Sequence, residues 1–468
     1  MKSYCPDFKI MYLGIFFLGF FGLAKSSWAT TYYVDYDNGT DNNNGAAMTA
    51  PWKHAPGASD ATGNAGSTTL AAGDIVYLKG GVKYRGALIT VNSSGSSIAT
   101  GSRGIIISGG VLTDSDGSFA SVEAGQYIYI YHSKPSMADT WVESAGLFHV
   151  ASKDIGSQIT LSDFNGVAHS TGEMTYKVFN PIVFTTKSGW GTGKAIFDGE
   201  NTRNRVFETN GKSYLSFENM SFVNIPHIGE DNDDGVIRNS TGTANYVRVY
   251  NCDWTATSSA GNISINSNGS NYWIIQNCTF TSQYYGSTSV GVYKYSLIEN
   301  NDFNASCRGI GGIGAYSVIR YNTFRNYQGC SGASHSDAIG PLQTILISGD
   351  TNYWWLYGND FYHNMQDLFL TDSNNTLLPY ENRYSVIHSN VFHGMFGASG
   401  PCEDTQDMSI FIIDSSDILI ANNTWGSLDT CSHYWMQLGY GGNWNSFAGN
   451  MNITLENNLF SGGGLTIR

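Results

Sequence analysis

YWIIQNCTF (Tyr272–Phe280), YSLIENNDF (Tyr295–Phe303), YSVIRYNTF (Tyr316–Phe324) and YWWLYGNDF (Tyr353–Phe361) are one short phrase repeated with variations. Working outward, YLSFENMSF (Tyr214–Phe222) and YVRVYNCDW (Tyr246–Trp254) come before it. YSVIHSNVF (Tyr384–Phe392), ILIANNTW (Ile418–Trp425) and ITLENNLF (Ile453–Phe460) come after it. The closing aromatics are 32, 26, 23, 21, 37, 31, 33 and 35 residues apart. A repeat of this length points to a solenoid, whose units bury their apolar faces only against their neighbours. Each copy is a short β-branched and aromatic run, and the last six carry an Asn two residues before the aromatic: Asn301, Asn322, Asn359, Asn390, Asn423 and Asn458. Asn accepts left-handed backbone geometry and bonds nearby backbone, so it suits a tight bend between strands. Stacked at one strand spacing, about 4.8 Å, these side chains predict an internal amide ladder. Helical repeats are excluded, because no window keeps a 3.6-residue apolar period.

On those nine phrases the chain resembles the right-handed parallel β-helix of the pectate-lyase-like superfamily. The resemblance is one of architecture and implies an all-β solenoid. The motifs that mark polygalacturonases do not occur as a set, and Asp233-Asp234 alone does not stand for them. The acidic and basic constellation of a pectate lyase cannot be placed either, so no family catalytic residue is carried over.

The 468 residues are ample for one long solenoid domain, and charged residues make up only 13%. The formal net charge of −14 argues against nucleic acid, since phosphate binding needs basic clusters. Residues 1–29 read as a secretory leader: Lys2 and Lys9, an apolar run from Ile10 to Ala24, then Ser27-Trp28-Ala29. That run is short for a membrane span, so the mature chain is expected to be secreted, at or beyond the cell surface. Six cysteines follow the leader, which in an oxidising compartment suggests bridges. Cys307 with Cys330 and Cys402 with Cys431 are expected as disulfides. Cys252 and Cys278 occupy the ladder position and read equally as a bridge or as stacked free thiols.

Residues 30–110 read as an N-terminal cap and first coils, with TTYYVDYDNGTDNNNG and APWKHAPG leading into GDIVYLKGG, ALITV and GIIISGG. Asp35, Asp37 and Asp41 there suit either calcium or turn formation, the latter being favoured. Residues 111–180 lack the phrase and read as a small β insertion; 181–468 form the main β-helix. The chain stops at GGGLTIR, a few residues into another coil. An open parallel edge is normally covered, so this reads as C-terminal truncation or as an end covered by another chain.

Residues that are distant in sequence meet on a solenoid's outer face when consecutive coils stack. Ungapped alignment of the strands after each aromatic places Asp234, Asn262, Ser289, Gly309, Asp337 and Asp367 in one column, and Asn239, Lys294, Gly314, Asp372 and Asp414 in another. His335, Arg308 and the run Gly309–Gly314 lie close by. Two carboxylates brought close push one pKa upward, which gives an acid and a base for glycosidic cleavage. The same oxygens suit Ca²⁺ beside a polyuronate, with Arg308, Lys294 or His335 as the base of a lyase. Asp337, Asp367, His335, Arg308 and Lys294 are therefore the catalytic candidates, and Asp372 and Asp414 the candidate calcium ligands. Trp354, Trp355, Tyr434 and Trp435 are candidates for stacking on sugars, and the glycine run is expected to open a groove. The plain alternative is that Asp and Asn at strand ends merely form turns. The expected function is cleavage of an extracellular polysaccharide by lyase or hydrolase chemistry. Its rivals are a non-catalytic glycan-binding or adhesive protein and a C5-epimerase.

Overall fold

The computed structural model describes residues 29–467, apart from 132–144, 165–168, 227–234, 256–263, 282–287, 305–307, 328–336, 343–352, 371–381, 395–407, 413–414, 427–433, 439–450 and a few positions elsewhere. Three long parallel sheets run side by side, with 12, 11 and 11 strands. The chain visits them in rotation, so each strand pairs with the one a full coil earlier and the one a full coil later. The chain is a right-handed parallel β-helix. We number the sheets I to III in the order the chain meets them within one coil.

Sheet I holds the first half of each phrase, as in Trp273–Gln276, Leu297–Glu299 and Val318–Arg320. Sheet II holds the closing aromatic, as in Thr279–Thr281, Asp302–Asn304 and Thr323–Arg325. The aromatics of sheet II stack along the axis: Phe280 to Phe303 at 4.7 Å, Phe303 to Phe324 at 4.8 Å and Phe324 to Phe361 at 4.9 Å between ring centroids. That spacing is the rise of a parallel sheet, so the sequence repeat becomes a continuous column of rings in the core.

The bend between sheets I and II carries the expected ladder. The Nδ2 of Asn301 donates to the Oδ1 of Asn322 (2.9 Å), and the same bond runs on through Asn359, Asn390, Asn423 and Asn458. Each amide also donates to a carbonyl of the coil before, and each Oδ1 accepts the backbone N–H of that coil's ladder Asn. The left-handed backbone lies one residue earlier than the sequence suggests. Asn300, Tyr321, Gly358, Ser389, Asn422 and Asn457 have φ between 50 and 64°, while the ladder residues themselves do not. The bend needs one left-handed residue to turn the chain, and the next side chain then points inward to bond its neighbours. Cys252 and Cys278 fill the ladder position as free, buried thiols. Each donates to the carbonyl of the preceding coil at 3.7 Å, as the Asn amides do. The two other expected disulfides lie outside the described residues, as do residues 1–28 of the expected leader.

A closed six-stranded antiparallel barrel is inserted between the first and second coils, from Ser96–Ile107 to His169–Asn180. It begins earlier than residue 111, because the strand Ser96–Ile107, which contains the GIII of GIIISGG, pairs within the barrel and not in a coil. Its interior is a separate core around Phe119, Ile128, Phe148 and Tyr176. Its outer face, with Tyr129, Leu147 and Phe179, packs on the outward residues of sheet I, including Ile274, Leu297, Val318 and Trp355. The barrel therefore covers part of sheet I and leaves sheets II and III without it. At the N-terminal end the carboxylate of Asp41 accepts bonds from His54 and Thr62, and that of Asp35 from Asn38 and Lys79. Asp35 thus closes a local turn to Asn38, while its bond to Lys79 and the bonds of Asp41 tie together segments distant in the chain. Among the described residues no helix is long and apolar enough to cross a membrane.

Candidate functional site

Sheet III places the candidate acids on Asp337–Leu342 and Gln366–Leu370, next to Arg308–Gly312 on one side and Met408–Ile412 on the other. Arg308 pairs with Asp337, and Asp337 with Gln366. Asp367 is thus in step with Ala338 and Ser409. The ungapped column slips by one residue at Asp337, and pleating sends alternate side chains to opposite faces. Asp337 and Asp367 do not face each other as a carboxylate pair. The connections from Asn304 to Arg308, from Arg325 to Asp337 and from Tyr362 to Gln366 differ in length, which an ungapped alignment does not weigh.

Asp337 is completely buried, and neither carboxyl oxygen has a hydrogen-bond partner among the described residues. Burial raises its pKa to about 7, against a downward pull from the Arg308 charge. Its neighbour Gln366 is also buried, and neither of its amide atoms has a partner among the described residues. Nearly all buried polar groups in folded proteins are bonded, which makes these two adjacent side chains an exception within the column. Asp367 is likewise buried and its pKa raised to about 7 by desolvation, but its oxygens are engaged. Ser409 Oγ donates to it at 2.6 Å and Asn364 Nδ2 at 2.9 Å. Asn364 also ties to the Phe324 carbonyl and accepts the Tyr327 N–H. Asp367 is a structural knot at the corner between sheets II and III. Gln366 and Asn364 escaped sequence reasoning, because an amide in a strand or turn carries no signal until its partners are known.

The remaining candidates scatter. Lys294 sits in the turn after Thr288–Gly291, two coils before Asp337, and its backbone carbonyl holds the Tyr272 N–H. Of the candidate bases and calcium ligands, His335, Asp372 and Asp414 lie outside the described residues. Among the described residues no three His, Cys, Asp or Glu side chains gather as a metal site. Trp354, Trp355 and Trp435 are not exposed stacking platforms: they are 1%, 3% and 5% accessible. Trp354 and Trp435 lie in the solenoid core, and Trp355 lies under the barrel. Tyr434 opens the strand Tyr434–Leu438, and its side chain is not among those described. The glycine at 309 does not open a groove, for a Cβ there would stand 2.5 Å from the Ala338 carbonyl and 2.6 Å from the Tyr327 hydroxyl.

No family model matches the sequence, and no curated protein matches it either. Solved structures do. An exopolygalacturonase from Thermotoga maritima aligns over 55% of this chain and 55% of its own, with 14% identity and a TM-score of 0.32. The chain thus spans about half the length of that enzyme. An alginate lyase from Paenibacillus aligns over 84% of this chain and 91% of its own, at 10% identity and a TM-score of 0.38. The Streptococcus pneumoniae surface protein and adhesin PfbA aligns over 62% of this chain and 86% of its own, at 14% identity and a TM-score of 0.37.

Proposed function

We propose that this chain is a secreted protein that cleaves an extracellular polysaccharide, by lyase or hydrolase chemistry, with Asp337 as the group that moves the proton. The observation carrying this reading is a fully buried carboxyl without a hydrogen-bond partner among the described residues, held near pH 7 and flanked in register by Arg308 and Gln366. A carboxyl with a pKa near the working pH gives a proton to a departing sugar oxygen and takes one back. Arg308 stands one strand spacing away, about 4.8 Å, and stabilises the carboxylate that the transfer leaves behind. The amide of Gln366 offers a donor and an acceptor to a sugar hydroxyl. The leader-like N-terminus and the low share of charged residues, 13%, support the extracellular setting.

The test is a depolymerisation screen over uronate and neutral polysaccharides, with and without calcium, comparing the natural chain with Asp337→Asn. Loss of turnover with an unchanged circular dichroism spectrum supports the assignment. Full activity in the variant removes Asp337 from the chemistry. Ultraviolet absorbance of an unsaturated product marks a lyase, and new reducing ends without it mark a hydrolase. Retardation on glycan gels with no change in polymer length turns the reading to binding alone.

A further inference from the structure

Far from Asp337, the N-terminal coils enclose a cavity that the proposed chemistry does not use. It lies between the segment around Tyr36 and His54, the strand Lys83–Tyr84 and the turn from Gly199 to Val206 that joins sheets II and III. Its floor is apolar, with Leu78, Ile89 and Phe197, while its rim is cationic. In a chain with 24 lysines and arginines against 38 acidic residues, Lys53, Arg85, Arg203 and Arg205 all line this one space.

Of the carboxylates among the described residues, only Asp60 and Asp198 line the cavity itself, and these and Glu200 beside it are already shared. Arg85 and Arg203 both turn to Glu200, at 3.8 Å and 3.1 Å. Lys83 lies 3.8 Å from Asp198. Asp60, on the rim, is 3.5 Å from His54, which is held from behind by Asp41 at 2.7 Å. Lys53 is in no ion pair among the described residues; its ammonium sits 5.1 Å above the Tyr36 ring. A cation held over an aromatic face at the mouth of a small cavity can gain a full anionic partner without leaving its place.

We infer that this cavity binds the carboxylate of an acidic saccharide. The cavity measures about 30 Å³, room for a carboxylate-sized group but not for a sugar ring. The ring would therefore stay outside, against Tyr36, while the carboxylate enters between Lys53 and the Arg85–Arg203 pair. Planar guanidinium groups match a carboxylate in a way that an ammonium does not. The cavity lies at the same corner of the solenoid as Asp337, five strand spacings along sheet III, roughly 24 Å. This extends the proposed glycan reading, on which its saccharide half rests, from polysaccharides in general to uronate-containing ones.

The experiment uses the full chain carrying Asp337→Asn, so that no probe is consumed, and measures binding of trigalacturonate by calorimetry. Neutral trigalactose and sodium acetate serve as comparisons. The expected result is that trigalacturonate binds and trigalactose does not. Lys53→Gln with Arg85→Gln should then weaken binding about tenfold or more, with the thermal melt unchanged. Arg85 is half exposed, so its replacement leaves the fold intact, and Lys53→Gln measured singly guards against a change at the Glu200 pair. Trigalacturonate affinity that survives both substitutions overturns the site. Acetate binding as tightly as the trisaccharide overturns the saccharide assignment. The two readings fail separately. A chain that cleaves only neutral polymers refutes the cavity's role and keeps Asp337. One that binds trigalacturonate through Lys53 but cleaves nothing does the reverse.

Discussion

Asp337 carries opposite consequences for activity and for stability. The unfolded chain releases this proton near 3.8, and the folded chain near 7. Between those values the folded state binds more protons, so its stability falls as pH climbs and the full penalty is present above 7. The difference amounts to roughly 4 kcal/mol. Asp337→Asn is therefore expected to raise the melting temperature at pH 8 and to leave it nearly unchanged at pH 4, while abolishing turnover. Equal gains at both pH values in a calorimetric scan would show that the carboxyl does not titrate in that window. The tyrosines that open the phrases are a second case of local cost. Tyr272, Tyr295, Tyr316 and Tyr353 all have φ of 58–62°, a region an aromatic residue enters at a cost of about 1 kcal/mol. Their rings stack at 4.8–5.3 Å from Tyr295 to Tyr353, and such stacking returns a similar amount, about 1 kcal/mol per pair.

At the scale of the element, the amide ladder is the part most open to measurement. Asn359 accepts two bonds from Asn322 and donates to Asn390 and to the Ile319 carbonyl. Asn359→Ala leaves buried donors without acceptors and should cost about 2–4 kcal/mol in urea melts. Asn458→Ala, at the partly buried end of the row, should cost clearly less; equal losses would mean that the ladder does not act as a row. Upstream, the thiols of Cys252 and Cys278 continue the same position. Burial holds the Cys252 thiol well above its ordinary pKa. Neither cysteine should take up an alkylating reagent in the native protein, and both should do so once it is unfolded, as read by peptide mass spectrometry. The row of Asn was legible in the sequence because the period and the residue type agree. The left-handed position was not, since Asn, Tyr, Gly and Ser share it and no single residue type marks it.

At the scale of the whole molecule, the barrel and the solenoid are joined by a buried polar row on sheet I. Arg248 bonds Glu218 and Gln276, Gln276 bonds Glu299, and Arg320 bonds Glu299 at 2.6 Å and Tyr357 at 2.9 Å. Arg320 also reaches the barrel, donating to the Ala145 carbonyl at 2.7 Å. Arg320→Ala strands the Glu299 carboxylate beneath the barrel and should cost about 3–5 kcal/mol. Arg320→Ala combined with Glu299→Gln should recover part of that loss, since the stranded charge is gone. A thermal melt unmoved by Arg320→Ala would mean that the row does not join the two bodies.

By itself the sequence determined the winding, because rings and amides recurring every few tens of residues can bury themselves only by stacking on their own copies. It also located the strands on which Arg308, Asp337 and Asp367 lie. Only the tertiary structure decided which of these residues meet. The slip at Asp337 depends on the lengths of loops that ungapped alignment cannot weigh. The burial of Trp355 depends on a barrel that comes from a distant part of the chain and settles on that face of the sheet. Register and coverage are properties of the assembled solid, whereas periodicity is already present in the string of residues.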